Sequence, residues 1–182
     1  MAKETMSAAS VGPSVGPGAG ASATAGEQRR YVGTIVGVML AVAALDQAVK
    51  QLVLAWVNPG EPIHIIGDWF RLLLVFNPGA AFSMGSDATW VFTTIQLVFV
   101  VGSLIAAPRI TSPWEAAGLA LVAGGALGNL TDRLIREPSF WFGHVVDYIS
   151  VGSFAVFNLA DAAITVGVGL FIVALFFGDG RE

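Results

Sequence analysis

Asp161 lies inside an otherwise apolar run, residues 154–177, that is long enough to span a bilayer. A carboxylate in such a place costs roughly 2.5 to 3.5 kcal/mol on insertion scales, so a function is expected of it. Asn158 precedes it by three residues and would share its helix face, just as Asn129, Asp132 and Arg133 cluster at the end of an earlier apolar run. Two helix faces could therefore present Asn and Asp to one site. If Asp147 meets Asp161 there, two like charges in a poorly solvated pocket would share one proton near neutral pH. Such a pair suits attack of water on a carbonyl, as in aspartic proteases. The ionised acid takes the water's proton while its protonated partner donates to the developing oxyanion, and the roles then reverse to release the amine.

Other chemistries find less support. The chain has no cysteine, which excludes a thiol nucleophile and Cys-based zinc sites. His64 and His144 lie far apart with no H-E-x-x-H spacing, so no metal site and no cofactor is expected. There is no G-x-S-x-G, and Ser83, Ser86 and Ser103 have no evident base nearby. Structural roles compete for several polar residues. Asp46 and Lys50, four apart, would form an intrahelical pair that cheapens two buried charges. Arg133 would snorkel to the interface or pair with Asp132. Asn129 and Asn158 would serve as interhelical glue, and Thr165 would bond back to its own helix.

These residues must be positioned within a membrane. Hydrophobic residues make up 55% of the 182-residue chain and charged ones only 12%, which does not describe a soluble globule. No basic cluster suggests nucleic acid. Residues 1–28, rich in Gly, Ala, Ser and Pro, are expected to be a disordered cytoplasmic tail. Spans are expected at about 31–56, 88–107, 114–131 and 154–177, with a short cytoplasmic tail at 179–182. In the third span Ala120, Gly124 and Gly128 recur every fourth residue, a small-xxx-small stripe that admits a neighbouring helix closely. Between the first two spans, residues 58–87 hold helix-breaking Pro and Gly around two extended-looking runs, 63–66 and 71–76, and should form a small extramembrane cradle. The fold class is thus an all-α membrane protein, four transmembrane helices with a small β-cradle.

Orientation follows from the basic residues. With both termini inside, Lys3, Arg29, Arg30, Arg109 and Arg181 face the cytoplasm, against Arg71, Arg133 and Arg136 outside. Asp46, Asp132, Asp147 and Asp161 then gather toward the outer leaflet. A cleavable signal peptide is the minor alternative for the first span, since Arg29-Arg30 precede an apolar core and Ala41-Val42-Ala43 has a small-x-small form. Two rival functions remain open on these residues alone: a transporter or proton relay with the acids as ligands, and a structural subunit whose polar residues only lock helices together.

Five blocks carry a resemblance. They are Asp46-Gln47-Ala48-Val49-Lys50, then Asn77-Pro78-Gly79-Ala80-Ala81-Phe82-Ser83, then residues 124–133 containing Asn129, Asp132 and Arg133, then Gly143-His144-Val145-Val146-Asp147-Tyr148, and last Phe157-Asn158-Leu159-Ala160-Asp161. In this order they resemble lipoprotein signal peptidase, or signal peptidase II, the bacterial membrane aspartic peptidase family. The resemblance implies cleavage of a prolipoprotein signal peptide just before a cysteine that carries a diacylglyceryl group. It implies Asp147 and Asp161 as the catalytic dyad, with Asn129, Asp132, Arg133 and Asn158 ordering dyad and substrate, and Asp46, Lys50, Asn77 and Gly79 supporting them. It further implies a monomer in the bacterial cytoplasmic (inner) membrane, contact with membrane lipids, inhibition by globomycin-type cyclic peptides, and a short mobile helix over the site within residues 58–87. The long tail lies outside the resemblance, and residues 134–142 look like an insertion.

Overall fold

The computed structural model describes residues 18–79 and 88–177, with side chains from residue 31 onward. Helix α1 (Gly18–Trp56) is followed by strands β1 (Ile63–Ile66) and β2 (Phe70–Asn77). Helix α2 (Thr89–Ala106) leads through a short 3-10 turn, Ala107–Arg109, into α3 (Pro113–Ile135), then β3 (Val145–Val151) and α4 (Leu159–Phe177). Among the described residues three helices are long and apolar enough to cross a membrane: Tyr31–Trp56, Thr89–Arg109 and Leu159–Phe176.

α3 is the central helix, packed by α1, α2 and α4. Its sequence explains why. Pro113 opens it at a position where the missing N–H is no loss. Small residues then run along two faces. A side chain at Gly124 would strike Val42 Cβ at 2.7 Å and the Met39 carbonyl at 3.0 Å, so the expected small-residue stripe is where α1 seats. A second stripe faces α4: a side chain at Gly118 would strike the Gly167 carbonyl at 2.8 Å. Enclosed by protein, α3 needs close approach more than oiliness, and it falls outside the three apolar spans for that reason.

The two extended runs of the cradle form strands as expected, but the sheet has a third member. Its order is β1-β2-β3, all antiparallel. The outer loop expected around Asp147 is instead β3, whose residues Val145 to Tyr148 are buried. Its β-branched residues outvoted the aspartate. Val53, Val57, Leu74, Val146 and Tyr148 form the core that clamps the sheet onto the end of α1.

Two boundaries also differ. α4 starts at Leu159 rather than at residue 154, because Phe157 is held in an isolated bridge with Ile149. α1 starts at Gly18, so the tail expected to end at residue 28 overlaps an alanine-rich helical start. Residues 1–17, residues 80–87 at the end of the 58–87 segment in which a mobile helix was expected, and the tail 179–182 lie outside the described residues.

Candidate active site

Asn158 is the N-cap of α4. Its Oδ1 accepts the Asp161 N–H at 2.9 Å, and its own N–H donates to Asp161 Oδ2 at 3.2 Å. This reciprocal capping pair satisfies a helix-end donor and fixes the Asp161 rotamer at the first turn. The second oxygen, Oδ1, accepts from Asn129 Nδ2 on α3 at 2.8 Å.

Asp147 is held from the other side. β3 delivers it diagonally opposite Asn77, since Asn77 pairs with Val145 and Val75 with Asp147. Asn77 Nδ2 donates to Asp147 Oδ2 at 2.8 Å, and Asn158 Nδ2 donates to Asp147 Oδ1 at 2.6 Å. Asn158 thereby touches both acids. The Asn77 amide is itself aimed by an Asx turn, in which the Gly79 N–H donates to Asn77 Oδ1 at 2.8 Å. Gly79 has φ +108°, and a side chain there would strike Phe92 Cε2 at 2.6 Å, so only glycine fits.

Behind this layer sits a buried ionic cluster. Lys50 Nζ lies 2.7 Å from Asp46 Oδ2 and 2.8 Å from Asp132 Oδ2, and it donates to Asn129 Oδ1 at 2.8 Å. All three charged groups are fully buried. Asp132 Oδ2 also accepts the Val146 N–H at 3.1 Å, and Asp46 Oδ1 accepts the Ala160 N–H at 3.0 Å. Each anchor thus grips the residue immediately before one of the two acids. Arg136 Nε, 2.6 Å from Asp132 Oδ1, and Gln47 Nε2, 3.0 Å from the same oxygen, complete the cluster.

The ten residues expected to act at or support the site, Asp46, Lys50, Asn77, Gly79, Asn129, Asp132, Arg133, Asp147, Asn158 and Asp161, fall in this neighbourhood, although not always with the partner expected. Asp46 and Lys50 do form the intrahelical pair, and that pair is also wired into the site. Arg133 does not pair with Asp132, whose oxygens are taken by Lys50, Arg136, Gln47 and Val146. Its guanidinium donates to the Gly143 carbonyl at 3.2 Å and stacks 5.7 Å over the Phe92 ring. Thr165 bonds back to the Asp161 carbonyl at 2.8 Å, as expected. His64 stays in the cradle beside Asp68, and no cluster suited to a metal occurs among the described residues. Sequence reasoning missed Arg136 as a partner of Asp132, and Phe92 and Gln96 as lining of the pocket. None carries a signal in one sequence, since a helical Phe or Gln reveals its direction only once α2 is docked.

Asp147, Asp161, Asn77, Asn129 and Arg133 open onto one pocket of about 590 Å³, walled mainly by apolar side chains. Burial, then the neighbouring Asp161 charge, push the Asp147 carboxyl up to about 7. Burial likewise raises the Tyr148 hydroxyl to about 12, so it stays neutral, and its oxygen accepts the Leu159 N–H at 3.3 Å.

Helices apolar enough to cross a bilayer, with one carboxylate from the sheet and one from α4 brought to a single pocket, make an integral membrane protein with the polar equipment of a hydrolase. Comparison with known proteins gives the family. The signal peptidase (SPase) II family matches residues 38–177. A lipoprotein signal peptidase of Rhodococcus jostii is 45% identical over 152 residues, covering 84% of this chain and 75% of the relative. One from Mycobacterium avium is 45% identical over 149 residues, covering 82% of each. A solved bacterial membrane enzyme superposes with a TM-score of 0.70 at 26% identity, covering 82% of this chain and 93% of the other. The chain belongs to the signal peptidase II family and is a membrane protease of that class.

Proposed function

We propose that Asp147 and Asp161 are the catalytic pair with which this protease removes the signal peptide of a prolipoprotein, cutting just before a diacylglyceryl-modified cysteine. Family membership supports the reaction and substrate class. The observation that carries the residue assignment is Asn158, which hydrogen-bonds both acids and holds them toward one pocket. Asp147, raised to about 7, is protonated in about half of the molecules at neutral pH, and that form donates its proton to the carbonyl oxygen of the scissile bond. Asp161 accepts a proton from the attacking water. Collapse of the tetrahedral intermediate then passes that proton to the leaving amine and returns Asp147 to its protonated form.

The apolar walls suit the lipid chains of the substrate, and no metal or cofactor takes part in the scheme. α3 completes a four-span topology with both termini in the cytoplasm, and the acids then face the outer leaflet of the bacterial cytoplasmic membrane. The protein works as a monomer among membrane lipids, and a globomycin-type cyclic peptide would occupy the same pocket. The test is cleavage of a purified diacylglyceryl-modified prolipoprotein by the full chain in detergent. A product whose N-terminus is the lipidated cysteine is expected, and an uncut substrate with well-folded protein would sink the reading.

A further inference from the structure

Gln96 on α2 lines the same pocket as Asp161 of α4. Its side-chain oxygen Oε1 is buried and has no hydrogen-bond partner among the described residues. A buried amide oxygen left unpaired costs about 1 to 3 kcal/mol, so one carried by a side chain that lines a cavity marks a place where a ligand donor would be welcome after a small turn of the amide.

The chemistry of the substrate narrows the choice, and here the inference rests on the peptidase reading above. A diacylglyceryl group offers ester oxygens and hydrocarbon, which are acceptors or inert. The donor on a prolipoprotein is a main-chain N–H. For the acids to reach the scissile bond, the peptide around it must leave its helix and run extended. Its N–H groups then lose their i−4 carbonyls inside an apolar environment, where each unsatisfied group costs several kcal/mol. Gln96 Oε1 and such an N–H are each other's missing partner.

Depth identifies which N–H. Gln96 is the eighth residue of α2 and Asp161 the third of α4, both counted from the ends nearest the sheet. At 1.5 Å per residue Gln96 lies about 7 Å further from the start of its helix than Asp161 from the start of its own, an offset of roughly two extended residues that points to the signal-peptide side of the cut. Phe92, one turn above Gln96, supports the Arg133 guanidinium between the two levels.

We propose that Gln96 is a substrate-binding residue that accepts a main-chain N–H of the signal peptide two or three residues before the lipidated cysteine. This separates two recognition tasks. The acids and asparagines handle the scissile carbonyl, while Gln96 requires that the upstream chain be unwound.

The experiment is an ester scan. Synthetic diacylglyceryl-modified prolipoprotein peptides, each with one upstream amide replaced by an ester to delete its N–H, are cleaved by wild type, Gln96→Met and Gln96→Glu in detergent. For wild type, an ester two or three residues before the cysteine should raise KM roughly tenfold with kcat little changed. Gln96→Met should show that higher KM on the all-amide peptide and no further loss on the ester. Gln96→Glu, which keeps an acceptor oxygen, should stay sensitive to the ester. Equal ester sensitivity in wild type and Gln96→Met, or no ester effect in wild type, would overturn the proposal while leaving the peptidase reading intact. No cleavage of the all-amide peptide by wild type would overturn both.

Discussion

Asp132 Oδ2 and Asp46 Oδ2 lie 2.8 and 2.7 Å from the same ammonium, that of Lys50, and each carboxylate also holds the backbone N–H of the residue before one of the paired acids. One buried charge on α1 thus sets the separation of β3 from the start of α4. The distance between Asp147 and Asp161 is fixed by the backbone as well as by their own asparagine partners. Two carboxylates buried around one lysine are costly unless well bonded, and here every oxygen of Asp46 and Asp132 has a backbone donor or a cation against it.

Lys50→Met should therefore be more damaging than loss of one hydrogen bond. Asp46 and Asp132 would be left as unpaired buried carboxylates, and destabilisation of about 3 to 5 kcal/mol is expected. Thermal unfolding in detergent measures this. A variant that unfolds within a degree or two of wild type would show that the cluster is not the brace described.

Asn158→Ala removes the α4 cap and a side chain bonded to both acids. Stability should fall by about 1 kcal/mol for the cap, while turnover falls by at least a hundredfold because Asp147 and Asp161 lose their common support. Parallel measurement of unfolding and cleavage separates the two effects. Near-normal turnover would contradict the bridging role.

Activity should depend on pH through Asp147. Burial and the Asp161 charge raise its carboxyl to about 7, so the proton it donates is present below that value and lost above it. The cleavage rate should fall as pH rises through about 7, approaching tenfold per unit. Asn77 donates to the ionised form and holds the value down, so Asn77→Ala should shift the decline to higher pH. Stability follows the same sign: with the folded value above the unfolded 3.8, the contribution is full below about pH 4 and is lost as pH rises to about 7. An Asn77→Ala profile that moves to lower pH would refute this assignment.

Much of the site was legible because intramembrane polar residues are expensive, and the expense draws attention to Asp46, Lys50, Asn129, Asn158 and Asp161. The helices read well where they face lipid, as in the uncharged α2. What sequence concealed is direction and context. Asp147 read as a loop residue because an aspartate in Val145-Val146-Asp147-Tyr148 argues against a strand until Asn77 and Asn158 are there to bond it. Asn158 read as a residue within the helix, whereas it ends the loop and caps the helix. Pairing of Arg133 with Asp132 was one of the readings open to the sequence, but consecutive helical residues point to different sides, and Asp132 turns toward Lys50 while Arg133 lines the pocket.

The most direct test of the paired-acid account is cleavage of a diacylglyceryl-modified prolipoprotein by Asp147→Asn and Asp161→Asn, each compared with wild type at equal folded amounts. Asparagine keeps the shape of either side chain but can neither take nor give the required proton. Turnover lowered by at least a thousandfold in both variants, with unfolding temperatures close to wild type, is the predicted result. Retention of substantial cleavage by either folded variant would contradict the account.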